Sequence, residues 1–310
     1  MSTPEVLVVG DANVDLVLTG DVRPRWGQTE QLVDGAELTL GGSAALVAHG
    51  LARLGVSVGL CAAVGRDAFG DRALDVLTAA GVDVSAVVRR ASGSTGLSVI
   101  LSPDDGDRAI LTELGVLPSL TRGELPALGG VRHLHVASPY LVHGLRADLA
   151  GLLTEARAGG VATSLDTNDD PARSWAHLAE LLAAVDVVLP NRDELLRWAA
   201  ALGQQVTSWA EAAGVVAARG PTVVVKVGAD GGALIRAGEP PLQVPAPVVT
   251  PVDTTGAGDS FDAGWIAGRL GGLDDRSALT WAVRAGSLST RAAGGSAAQA
   301  TRAEVEADLS

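Results

Sequence analysis

The feature that most restricts the fold is a rhythm running through residues 133–227, where short apolar runs alternate with longer stretches of helical spacing. The runs fall at 133–137, 161–166, 185–189 and 222–227, and the helical stretches at 145–158, 174–184, 191–202 and 208–218. Strands that return to one another through helices lie parallel. The helices then cover both faces of the sheet, which is why each strand reads as apolar throughout. Val6–Val9, closed by Gly10-Asp11, is a further strand of this kind. The pattern predicts an α/β fold with a doubly wound, mostly parallel sheet.

Two regions break the rhythm. Residues 14–40 and the pair 95–101 and 108–114 alternate polar and apolar positions, and Pro103-Asp-Asp-Gly106 marks a hairpin turn between the latter two. No helix is available to cover them. They are expected to form one small sheet, a lid built from about 12–40 and 95–115, over a single domain spanning 1–310. Elsewhere Ser43 is expected to cap a helix that Gly55 ends, and 56–64 to form a strand. A helix over 69–80 stops at Gly81, a hairpin occupies 232–244, and helices over 258–270 and 274–293 precede a small, polar surface turn at 294–300.

Composition removes several classes of function. With 47% hydrophobic and 19% charged residues the chain buries a sizeable core, and at 3% aromatics that core must be mostly Ala, Val and Leu. The formal net charge of −13 repels nucleic acid and anionic membrane, so neither is an expected partner. Any anionic ligand must be held by a local positive potential. Cys61 is the one cysteine, which excludes an internal disulfide framework and fits a reducing compartment. The first residues lack a basic segment and no stretch approaches the ~18 apolar residues of a bilayer span, so a cytoplasmic protein is expected.

Asp253-Thr-Thr-Gly-Ala-Gly-Asp-Ser-Phe261 carries the most chemical information. Gly256-Ala-Gly258 lets backbone N–H groups approach an anion, and a helix starting there adds the positive end of its dipole. Asp259 would repel a phosphate at this loop. The conflict disappears if it takes a proton from a hydroxyl that attacks a phosphoryl group held by the loop. The plain alternative is a helix start with an acid in its first turn. A Walker A loop is excluded because no Lys-Ser or Lys-Thr follows the glycines, and a dinucleotide fingerprint because Phe261 stands where its third glycine belongs.

This segment resembles the signature of the ribokinase-like sugar kinases, the PfkB family, and the resemblance extends over nearly the whole chain. It implies ATP and Mg2+, with Asp259 as catalytic base in contact with the substrate hydroxyl. Thr254, Gly256 and Gly258 would meet ATP, and the N–H groups of Gly256, Ala257, Gly258 and Asp259 would form the anion hole. Leu40-Gly-Gly-Ser-Ala-Ala-Leu-Val-Ala48 is similar to the family's first signature, in which Gly41 and Gly42 let the backbone close on the sugar. Asp15 in Gly10-Asp-Ala-Asn-Val-Asp15 matches an Asp that accepts hydrogen bonds from two sugar hydroxyls, with Asn13 beside it; a solvated turn carboxylate is the alternative.

Asn191-Arg-Asp-Glu194 matches an element that organises Mg2+ and phosphates through water, with Asn191 and Glu194 supplying oxygens from one helical turn. From the residues alone an N-cap with an acidic first turn is the favoured reading. Lys226, Gly228 and Gly231 would face the phosphates and ribose of ATP, against a strand lysine that merely snorkels. Asp166 in Leu165-Asp-Thr-Asn168 would tune the metal or cap a helix, and Asp67 reads as structural. Asp253, Thr255 and 292–295 fall where relatives bind a monovalent cation such as K+. The five His residues show no metal-ligand spacing, and His133 and His135 read as structural.

Two departures bear on the substrate. Leu46 stands where the family signature has Asn, and Val136-Ala-Ser-Pro139 lacks an acid that ribokinase proper uses on its sugar. A sugar hydroxyl left unpaired against Leu costs roughly 1–3 kcal/mol. Ribose is therefore less favoured than a sugar acid. A nucleoside is the alternative acceptor, with Trp26, Phe69 or Tyr140 as candidates to stack its base, and a non-catalytic sugar sensor is a third reading. The free edge of the lid could pair with a second copy.

Overall fold

The computed structural model describes residues 3–103 and 108–307. Its strands and helices are, in order, β1 (Val6–Val9), β2 (Asn13–Thr19), β3 (Gly35–Gly41), α1 (Ser43–Arg53), β4 (Val58–Cys61), β5 (Ala63–Gly65), α2 (Ala68–Ala80), β6 (Val88–Arg90), β7 (Gly96–Ser102) and β8 (Ala109–Glu113). There follow β9 (His133–Ala137), α3 (Leu149–Ala158), β10 (Ala162–Asp166), α4 (Leu178–Ala184), β11 (Val187–Val188), α5 (Arg192–Ala201), α6 (Trp209–Ala217) and β12 (Thr222–Lys226). The chain ends in β13 (Gly232–Ile235), β14 (Leu242–Val244), α7 (Ala257–Leu270), α8 (Asp275–Ser289) and α9 (Arg302–Glu306).

Eight strands form the main sheet in the order β14-β13-β12-β11-β10-β9-β1-β4. The run from β12 to β4 is parallel, and β13 and β14 close one edge as the expected antiparallel hairpin. All four residues of β1 are buried, and their alternation divides the core. Leu7 and Val9 join the cluster built with α3 to α6, whereas Val6 and Val8 join the one built with α1, α2, α7 and α8. Helices therefore cover both faces, as the strand–helix rhythm requires. On the second face α7 and α8 cross closely: a Cβ on Gly264 would lie 2.7 Å from the Trp281 carbonyl.

The small sheet has the order β3-β2-β7-β8. Val14 and Leu40 face the α1 core, and the alternate residues Asn13, Asp15, Thr39 and Ser98 lie on the other face. The expected β7–β8 pairing is antiparallel, and its turn beyond Pro103 lies outside the described residues. Asp67 has the structural role expected of it. It caps α2 at the Gly70 N–H and also accepts from the N–H and hydroxyl of Thr95, which ties α2 to the entry of β7.

Three expectations need correction. Residues 56–64 are not one strand: β4 stays in the main sheet while β5 leaves it to pair with β6. Both halves are buried, so an apolar run could not reveal the break. The helix expected over 174–184 begins only at Leu178, because Asp170 holds the amides of Ala172, Ser174 and Trp175 in a turn with Arg173, Trp175 and His177 at positive φ. The segment 294–300 is no surface turn. Gly294, Gly295 and Gln299 are buried, and the Gln299 side chain donates to the Leu46 carbonyl and the Ser260 hydroxyl while meeting His49 Nδ1 at 2.6 Å.

Candidate active site

The carboxyl ends of the parallel strands and the small sheet converge on the N-termini of α1 and α7, the region where open α/β sheets bind ligands. At the end of β1, Gly10 passes so close to β9 that a Cβ there would lie 2.4 Å from the Ala137 carbonyl. Asp11 follows, and its carboxylate accepts from the amides of Ser43 (3.1 Å) and Ala44 (3.0 Å). Asp11, not Ser43, therefore caps α1. Ser43 is the first helical residue, preceded by Gly42 at φ 88°, and its hydroxyl donates instead to Asp259 Oδ1 over 2.5 Å. The sequence carried no local sign of this contact, which joins residues 216 positions apart.

On the small sheet, Asn13 Nδ2 donates to Asp15 Oδ1 over 3.0 Å. Burial pushes the Asp15 carboxyl up to about 7, with Asn13 opposing. Gly41 fits against this pair because a Cβ would meet Asp15 Oδ1 at 2.2 Å. These three residues, expected at the substrate, lie together.

Asp259 sits in the first turn of α7, whose N-cap is Gly256 at φ 70°. Asp253 organises the loop: its Oδ1 accepts from the N–H and hydroxyl of Thr255 (both 2.8 Å) and its Oδ2 from the Gly294 N–H (2.9 Å). The Ala257 amide closes onto the Thr254 carbonyl at 3.2 Å, and Thr254 itself is exposed. The opening amides of a helix have no intrahelical partners, so those of Gly258 and Asp259 point their dipoles out of α7. Burial pushes the Asp259 carboxyl up to about 7, opposed by Lys226 and Ser43 and assisted by Asp166 and Asp11. A carboxylate near neutrality suits a general base at ordinary pH.

Behind the loop lies a buried charge cluster that the sequence reading only partly anticipated. Lys226 Nζ stands 2.5 Å from Asp166 Oδ2 and 2.9–3.0 Å from the two oxygens of Asp262. Burial opposes ionisation of Asp166, but Lys226 together with hydrogen bonds from Asp262 and the Asn168 amide outweighs it and holds that carboxyl below its usual range. Burial carries Asp262 well above its usual value. One lysine thus faces two buried carboxyl groups, favouring the ionised form of Asp166, while burial favours the protonated form of Asp262. Lys226, expected at the phosphates, approaches the loop at Gly258 with its charge already matched. Asp262 follows Asp259 by three residues on α7, a spacing that puts both on one helix face and could have flagged it.

Asn191 and Glu194 form a complete capping box. Asn191 Oδ1 accepts from the Glu194 amide, while the two Glu194 oxygens accept from the Asn191 amide and side chain at 2.7–2.9 Å. Burial, then Asp166, pushes Glu194 up to about 7. Gly228 is at φ 63° beside Arg192, whose Nη2 donates to the Val227 carbonyl. Gly231 is demanded by the fold, since a Cβ would lie 2.1 Å from the Val244 carbonyl. At the strand ends nearby, Ser138 and Asn168 both have positive φ and are hydrogen-bonded to each other, a form of strain that gathers at functional sites.

The donor sets discriminate between the expected ions. Asp166, Asp259 and Asp262 each bring an oxygen within 4.8 Å of the others, but the Lys226 ammonium already provides the positive charge there. Glu194 fits Mg2+ only through a bound water, for which each of its oxygens retains a lone pair. The side chains of Asp253 and Thr255, expected at a monovalent cation, are used within the loop. They bind each other, Gly294 and the guanidinium of Arg108, which donates to Thr255 Oγ1 over 3.0 Å.

Leu46 also differs from expectation. It is 3% exposed, and its side chain packs beneath Gly295, whose backbone is sandwiched between Leu46 and Gly256. It supports the anion loop and does not line an open pocket. Of the aromatic residues considered for base stacking, Tyr140 is buried edge-on against Trp175 and Phe69 packs on the α1 core, while Trp26 projects from the β2–β3 connection at 94% exposure. His133 and His135 share the Ser164 hydroxyl inside the sheet, and burial holds them down at about 4 and about 3.

Residues 3–302 match the family described as pfkB family carbohydrate kinase. An ATP-dependent ribose-1-phosphate kinase of Halopiger xanaduensis is 33% identical over 288 residues, covering 91% of this chain and 90% of that protein. A ribokinase of Bacillus subtilis is 30% identical over 312 residues, covering 98% and 99%. Among solved structures, Arabidopsis thaliana ribokinase complexed with ribose and ATP is similar with a TM-score of 0.82 at 26% identity, covering 99% of this chain and 98% of that one. The apo form of a putative ribokinase II from E. coli gives 0.84 at 25%, covering 98% of each.

Proposed function

The chain belongs to the pfkB family of carbohydrate kinases and has the ribokinase fold, and on that premise we propose that it transfers the γ-phosphoryl group of ATP to a hydroxyl of a sugar or sugar-acid acceptor. Asp259 is the general base. The observation that carries this reading is the contact of Ser43 with Asp259, which locks the start of α1, on the acceptor side, to the first turn of α7, on the phosphate side.

The acceptor hydroxyl donates its proton to the Asp259 oxygen turned away from Ser43, and the oxygen so activated attacks the γ-phosphorus as the bond to ADP breaks. Ser43 fixes the carboxylate's orientation. Asp15, aligned by Asn13, accepts from other hydroxyls of the acceptor, and the α7 amides meet the charge on the moving phosphoryl. The small sheet lies over the acceptor and excludes water. Mg2+ bound with ATP would supply charge neutralisation, and Asn191 and Glu194 would hold its water shell. Tyr140 is buried edge-on against Trp175, so the base of a nucleoside acceptor would have to stack on the exposed Trp26 or the half-buried Phe69.

Acceptor-dependent ADP release tests the reading. The panel contains ribose, ribose-1-phosphate, keto-deoxy sugar acids and purine nucleosides with Mg2+ and ATP. Turnover of at least one sugar is expected, whereas tight acceptor binding with no ADP release from any member would favour a sensor.

A further inference from the structure

The contact of Ser43 with Asp259 depends on how α1 lies against α7. The two helices come closest at Gly50, where a Cβ would lie 3.0 Å from the Ala263 Cβ and 3.1 Å from Gln299 Nε2. Gly against Ala gives that crossing no ridge to stop one helix sliding along the other. Gln299 enters there from the far end of the chain, and it is buried. Its Nε2 donates to the Leu46 carbonyl on α1 and to the Ser260 hydroxyl on α7, each over 3.0 Å. Its Oε1 meets His49 Nδ1 at 2.6 Å. The Leu46 carbonyl can only accept, which fixes the orientation of the amide and puts a proton on His49 Nδ1. The Gln299 backbone is held as well, because its carbonyl accepts from Nε of Arg53, the last residue of α1, over 3.2 Å.

Both anchor points lie beside the reacting pair. Leu46 is three residues after Ser43 on α1, and Ser260 immediately follows Asp259 on α7. Ser260 passes the bond on, donating to the carbonyl of Gly256, the N-cap of α7, over 2.9 Å. A buried carboxamide with every partner in place adds little stability over an apolar side chain of the same shape. Its effect is on register, since the two Nε2 protons reach both helices in only one relative position of α1 and α7.

We propose that Gln299 is a positioning residue for the transfer: it fixes α1 against α7, so that the Ser43 hydroxyl stays on Asp259 and turns the other carboxylate oxygen toward the acceptor. The proposal rests on the phosphotransfer reading and deepens it. Gln299 touches neither the substrate nor the reacting atoms and acts through Ser43. Leu46 then serves the site twice without lining it, with its side chain beneath Gly295 and its carbonyl on Gln299.

The test is a double-mutant cycle of Gln299→Met and Ser43→Ala, read in two ways. One is the pH profile of kcat/KM over the acceptor panel. The other is the titration of the Asp259 carboxyl, followed by carboxyl-carbon NMR of aspartate-labelled protein and assigned with Asp259→Asn. Methionine keeps the length of the side chain and fills the same space, but it donates no hydrogen bond. The charges facing Asp259 stay in place, those of Lys226, Asp166 and Asp11 from other elements and the Asp262 carboxyl on its own helix. Gln299→Met should raise both midpoints by roughly 1 unit from near 7, and lower kcat/KM about 5-fold at pH 7 with recovery at higher pH. In the Ser43→Ala background the same substitution should move the midpoints no further, because the contact it protects is already gone. If Gln299→Met does not fold, Ser260→Ala removes only the α7 end of the bridge and should shift the midpoints the same way by less. An unmoved midpoint, a shift that adds to that of Ser43→Ala, or a loss uniform across pH would overturn the proposal. A wild type that releases no ADP with any acceptor would overturn the phosphotransfer reading instead, and the carboxyl titration would still decide the role of Gln299.

Discussion

Replacing Ser43 with alanine isolates one hydrogen bond at the proposed base. The hydroxyl donates to Asp259 Oδ1 over 2.5 Å and favours the ionised carboxylate, whose pKa burial has pushed up to about 7. Hydrogen bonds to charged groups are worth roughly 1.5–3 kcal/mol. At about 1.4 kcal/mol per pKa unit the variant's carboxyl should titrate about 1–2 units higher. A general base works only when ionised, so the acidic limb of the kcat/KM profile should move from near 7 to about 8–9. At pH 7 this predicts a loss of roughly 5–50-fold that is largely recovered at pH 10. The helix should survive, because Asp11 provides its cap and alanine is the best helix former. Thermal unfolding checks that point. A profile of unchanged midpoint, or a loss uniform across pH, would refute the reasoning.

The same raised pKa values make stability depend on pH. Asp15, Asp259 and Glu194 bind protons more tightly when folded, so their contribution is complete below about pH 4 and is lost as pH rises through about 7. Urea unfolding should therefore give lower stability at pH 8 than at pH 5.5, and Asp259→Asn should recover on the order of 2 kcal/mol at pH 8 after allowance for partial solvation; a flat pH dependence would contradict this. In the buried cluster, Lys226→Met leaves carboxyl groups only 0–2% exposed without their cation and should destabilise by about 3–5 kcal/mol. Asp262→Asn replaces a carboxyl whose burial favours the protonated form and should change stability by less than about 1 kcal/mol. Equal losses in the two variants would show that Asp262 is ionised.

The fold was legible where the signal is local and repetitive. The alternation of apolar runs with helical stretches gave the doubly wound sheet, and the two alternating regions gave the small sheet. What stayed hidden depends on contacts far apart in sequence. Nothing near Ser43 indicates that Asp11 caps α1 and leaves the Ser43 hydroxyl for Asp259. Nor does the composition of 294–300 betray Gln299, which ties α1 to α7 from the far end of the chain. The departure at Leu46 was visible but misread, because its burial beneath Gly295 cannot be known without the fold. The residue types at Asn191 and Glu194 were consistent with a cap and with a metal site, and the structure contains the cap in full.

The most direct test of the central claim is acceptor-dependent ADP release by Asp259→Asn beside a calorimetric titration with ATP. The side chain is nearly isosteric but cannot take the proton. The expected result is a fall in kcat of about 10²–10⁴-fold with ATP affinity nearly intact. A variant that phosphorylates its acceptor at close to the wild-type rate would contradict the assignment of Asp259 as the base.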